Sequence, residues 1–159
     1  MDEVIIRPAD QADITAIGQL WHKLATHHQQ LDERLPKPAS DGGELYAKRM
    51  VSLLKDAYHQ ILVADHNGQL VGFVLGMIAD YMPEIFLPET TGFLADIFVD
   101  EAYRGAGVGK KLVSALSAWF KSRGIMTMEW YVASENATAR AFWEHIGGKS
   151  LIIRMQLTL

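Results

Sequence analysis

Between residues 100 and 112 the chain reads DEAYRGAGVGKKL, placing Gly105, Gly107 and Gly109 within five positions. The apolar run FLADIFV at 93–99 reads as a strand. Val108, Leu112, Leu116, Trp119 and Phe120 recur at helical spacing, and IMTMEWYV at 125–132 reads as a further strand. Two strands joined through a helix imply a right-handed parallel crossover, which rules out an all-helical or purely antiparallel chain. Glycine costs conformational entropy on folding, so three of them in a strand-to-helix turn point to backbone that must approach a ligand, or another backbone, closely.

The rest of the chain fits around that unit. VIIR at 4–7 is a strand, and Asp10 caps a helix marked by Ile14, Ile17, Trp21, Leu24 and Leu31. A turn-rich segment, LPKPASDGGE at 35–44, precedes a helix whose inner face is Tyr46, Met50, Leu53, Leu54 and Ala57. QILVAD and QLVGFVLGMIAD flank Asn67-Gly68, the signature of a tight hairpin. Asn136 opens a short helix with Ala139, Phe142, Trp143 and Ile146 on one face, and LIIRMQLTL at 151–159 reads as a closing strand. These elements predict one α+β domain over residues 1–159, with a mixed, mostly antiparallel sheet of six to seven strands and about four helices.

Composition narrows the partners. Fifteen Lys and Arg against 19 Asp and Glu give a net charge of −4 with no basic block, which argues against a nucleic-acid or anionic-membrane surface. With no cysteine, thiol nucleophiles and thiolate metal sites are excluded. No two of the six histidines stand at i, i+4 on a helix, so no metal is expected. The start MDEVIIRPAD lacks the basic-then-apolar order of a signal peptide, and the longest apolar run is too short to span a bilayer as a helix, so a cytoplasmic protein is expected.

The glycine loop fits neither common phosphate pattern. A P-loop fails because Lys110 stands five positions after Gly105, and the dinucleotide fingerprint fails because Lys110 or Leu112 stands at its third glycine. What remains is Arg104-x-x-Gly107-x-Gly109 at the mouth of an amphipathic helix, where free amides and the helix dipole suit a pyrophosphate. This resembles the Gln/Arg-x-x-Gly-x-Gly/Ala motif of the GNAT superfamily of N-acetyltransferases. DIFVDEAYRG and YVASENATARAFWEHIGG are similar to that family's fourth strand and later cofactor-flanking segment, and the element order matches over nearly the whole chain.

The resemblance implies a parallel pair of strands splayed around acetyl-CoA. Ile97, Phe98 and Val99 would pair with the pantetheine amides, and the backbone of Arg104, Gly105, Ala106, Gly107, Val108, Gly109 and Lys110 would receive the pyrophosphate. Asn136 would contact the pantetheine arm, with Trp143 beside it. It further implies acetyl transfer to a primary amine of a small molecule (polyamine-like, aminoglycoside-like or an amino-acid amine) or of a protein, and it allows a homodimer; the alternative is an acyl-CoA-binding sensor without turnover. Asp96 is the candidate base, where polyamine-acetylating relatives often show Glu-Asp and this chain shows Ala95-Asp96; Glu129 is second choice. The family's proton-donating Tyr is replaced by Trp143, leaving Tyr131 as a substitute. Asp32, Glu33, Asp41, Glu44, Asp80, Glu84 and Glu89, in the loops 31–44 and 80–92, would favour a cationic acceptor if several face the cleft.

Overall fold

The computed structural model describes residues 3–80 and 84–159. Its elements run β1 (Ile5–Pro8), α1 (Ile14–Leu31), α2 (Gly42–Leu53), β2 (His59–His66), β3 (Gln69–Ala79), β4 (Thr91–Val99), α3 (Val108–Ser122), β5 (Met128–Trp130) and α4 (Ala137–His145). The strands form one sheet in sequential order, β1 to β4 antiparallel and β4 to β5 parallel. The β2–β3 hairpin turns at Asn67 (φ 55°) and Gly68, as its sequence demands. Met82 and Pro83, in the Pro-broken loop read at 80–92, lie outside the described residues, as does Tyr81.

Both faces of the sheet are covered. On one side α3 lays Val108, Leu112, Leu116 and Phe120 over Val74 and Leu94, joined by Trp143 of α4. On the other, Ile14, Ile17, Leu20 and Leu24 of α1 and Tyr46 and Met50 of α2 cover Val63, Phe73, Leu75 and Phe98. Helices α1 and α2 touch backbone to backbone: a Cβ at Gly43 would stand 2.9 Å from the Gly18 carbonyl oxygen. That close approach lets Trp21 of α1 stack on Tyr46 of α2, with ring centroids 4.8 Å apart.

The expected strand count is corrected to five among the described residues. Residues 151–159 form no strand, and all of them are exposed. Their alternation marks a face that could be buried, but a strand exists only through pairing, and β5 offers an edge of three residues. The run 125–132 is strand only at Met128–Trp130. Asp10 caps a 3-10 turn, Gln11–Asp13, in a reciprocal capping box with Asp13, and α1 begins after it.

That turn is fixed to the sheet by charge. Arg7 on β1 donates to Asp13 at 2.7 and 2.9 Å and to Asp65 on β2 at 2.8 and 3.1 Å. Its guanidinium holds both carboxyls below the ordinary carboxylate range. Their contribution is therefore present above the unfolded-state pKa and is lost as pH falls through the folded-state pKa. Arg7→Met leaves Asp13, 7% exposed, without its counter-charge. Urea unfolding at pH 7 should show a loss of about 2–4 kcal/mol, shrinking markedly at pH 3.

Candidate active site

Strands β4 and β5 are paired only from Gly92–Met128 to Leu94–Trp130. Beyond Leu94, β4 runs on to Val99 beside β3 alone. The Asp100 amide donates to Val71 on β3 at 2.8 Å. By strand alternation the Ile97 and Val99 amides then face the side β5 has left, and the Phe98 amide faces β3. Of the three residues expected to pair with an extended ligand, two present their backbone to the gap.

The gap opens towards the glycine loop. Gly105 (φ 78°) and Gly107 (φ 81°) are left-handed, a conformation side chains resist, and a Cβ at either would meet nothing within 4 Å. Gly107 is the N-cap of α3, and the Lys111 amide closes the first turn on its carbonyl at 3.0 Å. The amides of Val108, Gly109 and Lys110 lie in that first turn, where an α-helix has no carbonyl to offer them. They stand, with the exposed Ala106 beside them, at the positive end of the α3 dipole. Arg104 lies alongside, its Nε donating to the Val99 carbonyl at 3.0 Å and its guanidinium 5.5 Å from the Phe98 ring centroid.

Asp96 points elsewhere because β4 carries a bulge. Leu75 faces Asp96 and Gly76 faces Leu94, so Ala95 is an extra residue. Leu94 and Ile97 pack on the α3 side, whereas Ala95 and Phe98 pack on the α1–α2 side. The inserted residue turns Asp96 to that second side as well, where its carboxylate accepts from the Tyr46 hydroxyl at 2.9 Å. Burial pushes the Asp96 carboxyl above the ordinary carboxylate range, against the opposing pull of the Tyr46 hydrogen bond and the Arg49 charge. Burial, with Asp96 alongside, pushes the Tyr46 hydroxyl far above the usual tyrosine value. This pair lies in a cleft of about 510 Å³ between α1, the loop 35–39 and α2.

The remaining expected site residues separate into groups. Asn136 caps α4, its side-chain oxygen accepting from the Ala139 amide at 3.0 Å. Trp143 is 6% exposed and sits in the core against Trp130, centroids 4.4 Å apart. Tyr131 is 82% exposed, its ring edge-on to Phe93, and Glu129 is exposed on β5. None of the acidic loop residues Asp32, Glu33, Asp41, Glu44, Asp80, Glu84 and Glu89 lines the cleft. Asp32 is instead taken up by Arg34 at 2.6 Å. Among the described residues no group of acidic and histidine side chains could hold a metal, and no helix is long and apolar enough to cross a membrane.

Tyr46 and Arg49 were not singled out as site residues by sequence reasoning, which placed Tyr46 on the inner face of α2. The available signal was its hydroxyl: a tyrosine on a buried stripe needs a hydrogen-bond partner. Arg49, three residues on, shares its helix face.

A family model described as the acetyltransferase (GNAT) family matches residues 21–148. The chain belongs to that family. L-ornithine N5-acetyltransferase NATA1 of Arabidopsis thaliana is 32% identical over 98 residues, 60% of this chain and 38% of that one. The chain spans only 28% to 41% of the length of that enzyme and two other curated relatives matched over 85 to 98 residues. Among solved structures, a mutant of the BH1408 protein from Bacillus halodurans superposes with a TM-score of 0.88 at 21% identity, covering 98% of this chain and 99% of that one. The aminoglycoside N-acetyltransferase AAC(6')-Iy, solved in complex with CoA, gives 0.76 at 18% identity over 100% and 96%. The fold of this GNAT chain is therefore the family's α+β fold, with five strands among the described residues.

Two outcomes follow from the geometry. Gly107→Ala should cost about 1–2 kcal/mol through its positive φ alone, since no side chain is displaced, and thermal unfolding would show it. Trp143→Phe should lower stability by about 1–3 kcal/mol as a core truncation, with acetyl-CoA affinity little changed; a drop in affinity without loss of melting temperature would return Trp143 to the ligand's side.

Proposed function

We propose that this chain, residues 1–159 acting as one unit, transfers an acetyl group from acetyl-CoA to a primary amine. The observation that carries this reading is the parting of β4 from β5 next to a left-handed glycine loop, with the β4 bulge aiming a carboxylate into a separate cleft. The residues fit an acyl-CoA: the Ile97 and Val99 backbone faces the gap, and the open space above Gly105 and Gly107 admits phosphate oxygens against bare backbone.

What acetyl-CoA supplies, when bound, is an acetyl group activated as a thioester. The amides from Gly105 to Lys110 would hold its phosphates, with Arg104 at the edge of the loop, and the Ile97 and Val99 backbone would hold its arm. An alkyl amine has a pKa of about 10.4 in water and cannot attack while protonated. Asp96 meets it in the cleft and accepts its proton, directly or through water. A carboxyl raised by burial is a stronger base than an exposed one, and Tyr46 fixes its orientation. Trp143, where the family carries a Tyr, packs against Trp130 and supplies no titratable acid, and an alkyl thiol with a pKa of about 8.5 would need none to leave as thiolate near neutral pH.

Acetyl-CoA at 100 times its dissociation constant should raise stability by about 2.7 kcal/mol, with ATP giving less, and Gly107→Val should abolish the gain. Asp96→Asn should lower turnover by about 10²–10⁴ while acetyl-CoA still binds. Wild-type turnover should rise with pH through an apparent pKa above the ordinary carboxylate value, and Tyr46→Phe should move that limb further up by removing the hydrogen bond that favours the charged form. Thiol release across a panel of amines is the measurement. Acetyl-CoA binding with no release for any amine would replace this reading with a non-catalytic acyl-CoA sensor.

A further inference from the structure

The lining of the Asp96 cleft carries charge of an unexpected sign. Among the described residues Asp96 is its one acid, whereas Lys37 and Arg49 are cationic. His28, also at the wall, is held below the ordinary histidine pKa by burial and by His27, which keeps it neutral at pH 7. Arg49 is exposed and forms no ion pair among the described residues, in contrast to Arg7 and Arg34. It stands one helical turn after Tyr46 on the same face of α2, so the guanidinium and the Tyr46–Asp96 pair border one space. Its positive charge is felt at both Tyr46 and Asp96.

Such a cleft disfavours an acceptor that is cationic throughout. A polyamine could place one ammonium against Asp96, but its next would approach two unpaired like charges, a repulsion that discriminates between ligands. An unpaired guanidinium offers a planar fork that matches a carboxylate in two parallel hydrogen bonds. The stacked rings of Trp21 and Tyr46 supply an apolar wall for the carbon skeleton between.

We propose that the cleft selects a small amino carboxylic acid, with its reacting amine at Asp96 and its carboxylate at Arg49. This rests on the acetyl-transfer reading for the fate of the amine, and the recognition itself is testable without transfer. Calorimetric binding in the absence of acetyl-CoA should compare L-ornithine with putrescine and L-phenylalanine with phenethylamine, pairs that differ only by the carboxylate. In at least one pair the acid should bind about tenfold or more tightly than its partner, with thiol release after acetyl-CoA addition following the same order. Arg49→Gln, at an exposed position, should bring that ratio near one, and Arg49→Lys should keep part of it. The inference is overturned if the plain amine binds as well as the acid in both pairs, if no member of either pair binds, or if folded Arg49→Gln keeps the ratio. Preferential binding of the acid without thiol release would count against the transferase reading alone and leave the carboxylate contact standing.

Discussion

The structure turns on the length over which β4 and β5 hydrogen-bond. Three residue pairs hold them together, and from Ala95 onward β4 has a partner on one side only. Unpaired strand backbone is normally a liability, because every exposed amide seeks another strand. Here the open stretch runs to the loop that starts α3, so the same unmet donors that would invite aggregation face a place where an extended, amide-bearing ligand can lie. The crossover helix enforces this: α3 must leave the end of β4 and cross the sheet before β5 can begin, which puts its N-terminus at the mouth of the gap.

The bulge at Ala95 divides the labour between the two faces. Without it, period-2 alternation would turn Asp96 towards α3, into a core of Leu94, Leu112 and Leu116 where a carboxylate has no partner. With it, Asp96 reaches Tyr46 under α1 and α2 while Ile97 and Val99 keep their side chains on the α3 side. One inserted residue thus lets a single strand turn open backbone to the gap and a carboxylate to the opposite cleft. The contact of Gly18 with Gly43 matters for the same reason, since α2 must lie close to α1 for Tyr46 to stack on Trp21 and still reach Asp96.

Most of this frame was legible in the chain. The hairpin at Asn67-Gly68, the four helices and the parallel crossover follow from turn chemistry and periodicity, because those signals are local. Gly105 and Gly107 were legible too, because positive φ selects glycine directly. What escaped depends on contacts distant in sequence. The bulge is invisible in FLADIFV, since an inserted residue in an apolar run changes no residue type. Tyr46 and Asp96 lie 50 positions apart, and only the folded chain joins them. The acidic loops at 31–44 and 80–92 mark the opposite limit: composition counts charge but does not say which side of a loop faces the cleft. LIIRMQLTL had the pattern of a strand, but the edge at β5 is only three residues long and the segment pairs with nothing.

The carboxylates of this chain pull its stability in opposite directions with pH. Asp13 and Asp65, lowered by Arg7, bind fewer protons folded than unfolded below neutrality, so they favour the native state as pH rises through the acid range. Asp96 is raised by burial: between the ordinary carboxylate value and its own, the native state holds a proton that the unfolded chain has released, and stability falls as pH rises. The chain therefore keeps at β4 a carboxylate that costs it stability once ionised, while the β1–β2 edge carries an ion-paired pair that offsets the cost. A group that merely closed a hydrogen bond to Tyr46 could be an amide of the same shape with no such penalty. Under the proposed recognition of an amino carboxylic acid that charge is used, and the nearby Arg49 lowers its cost without closing a salt bridge, which would leave both groups to the ligand.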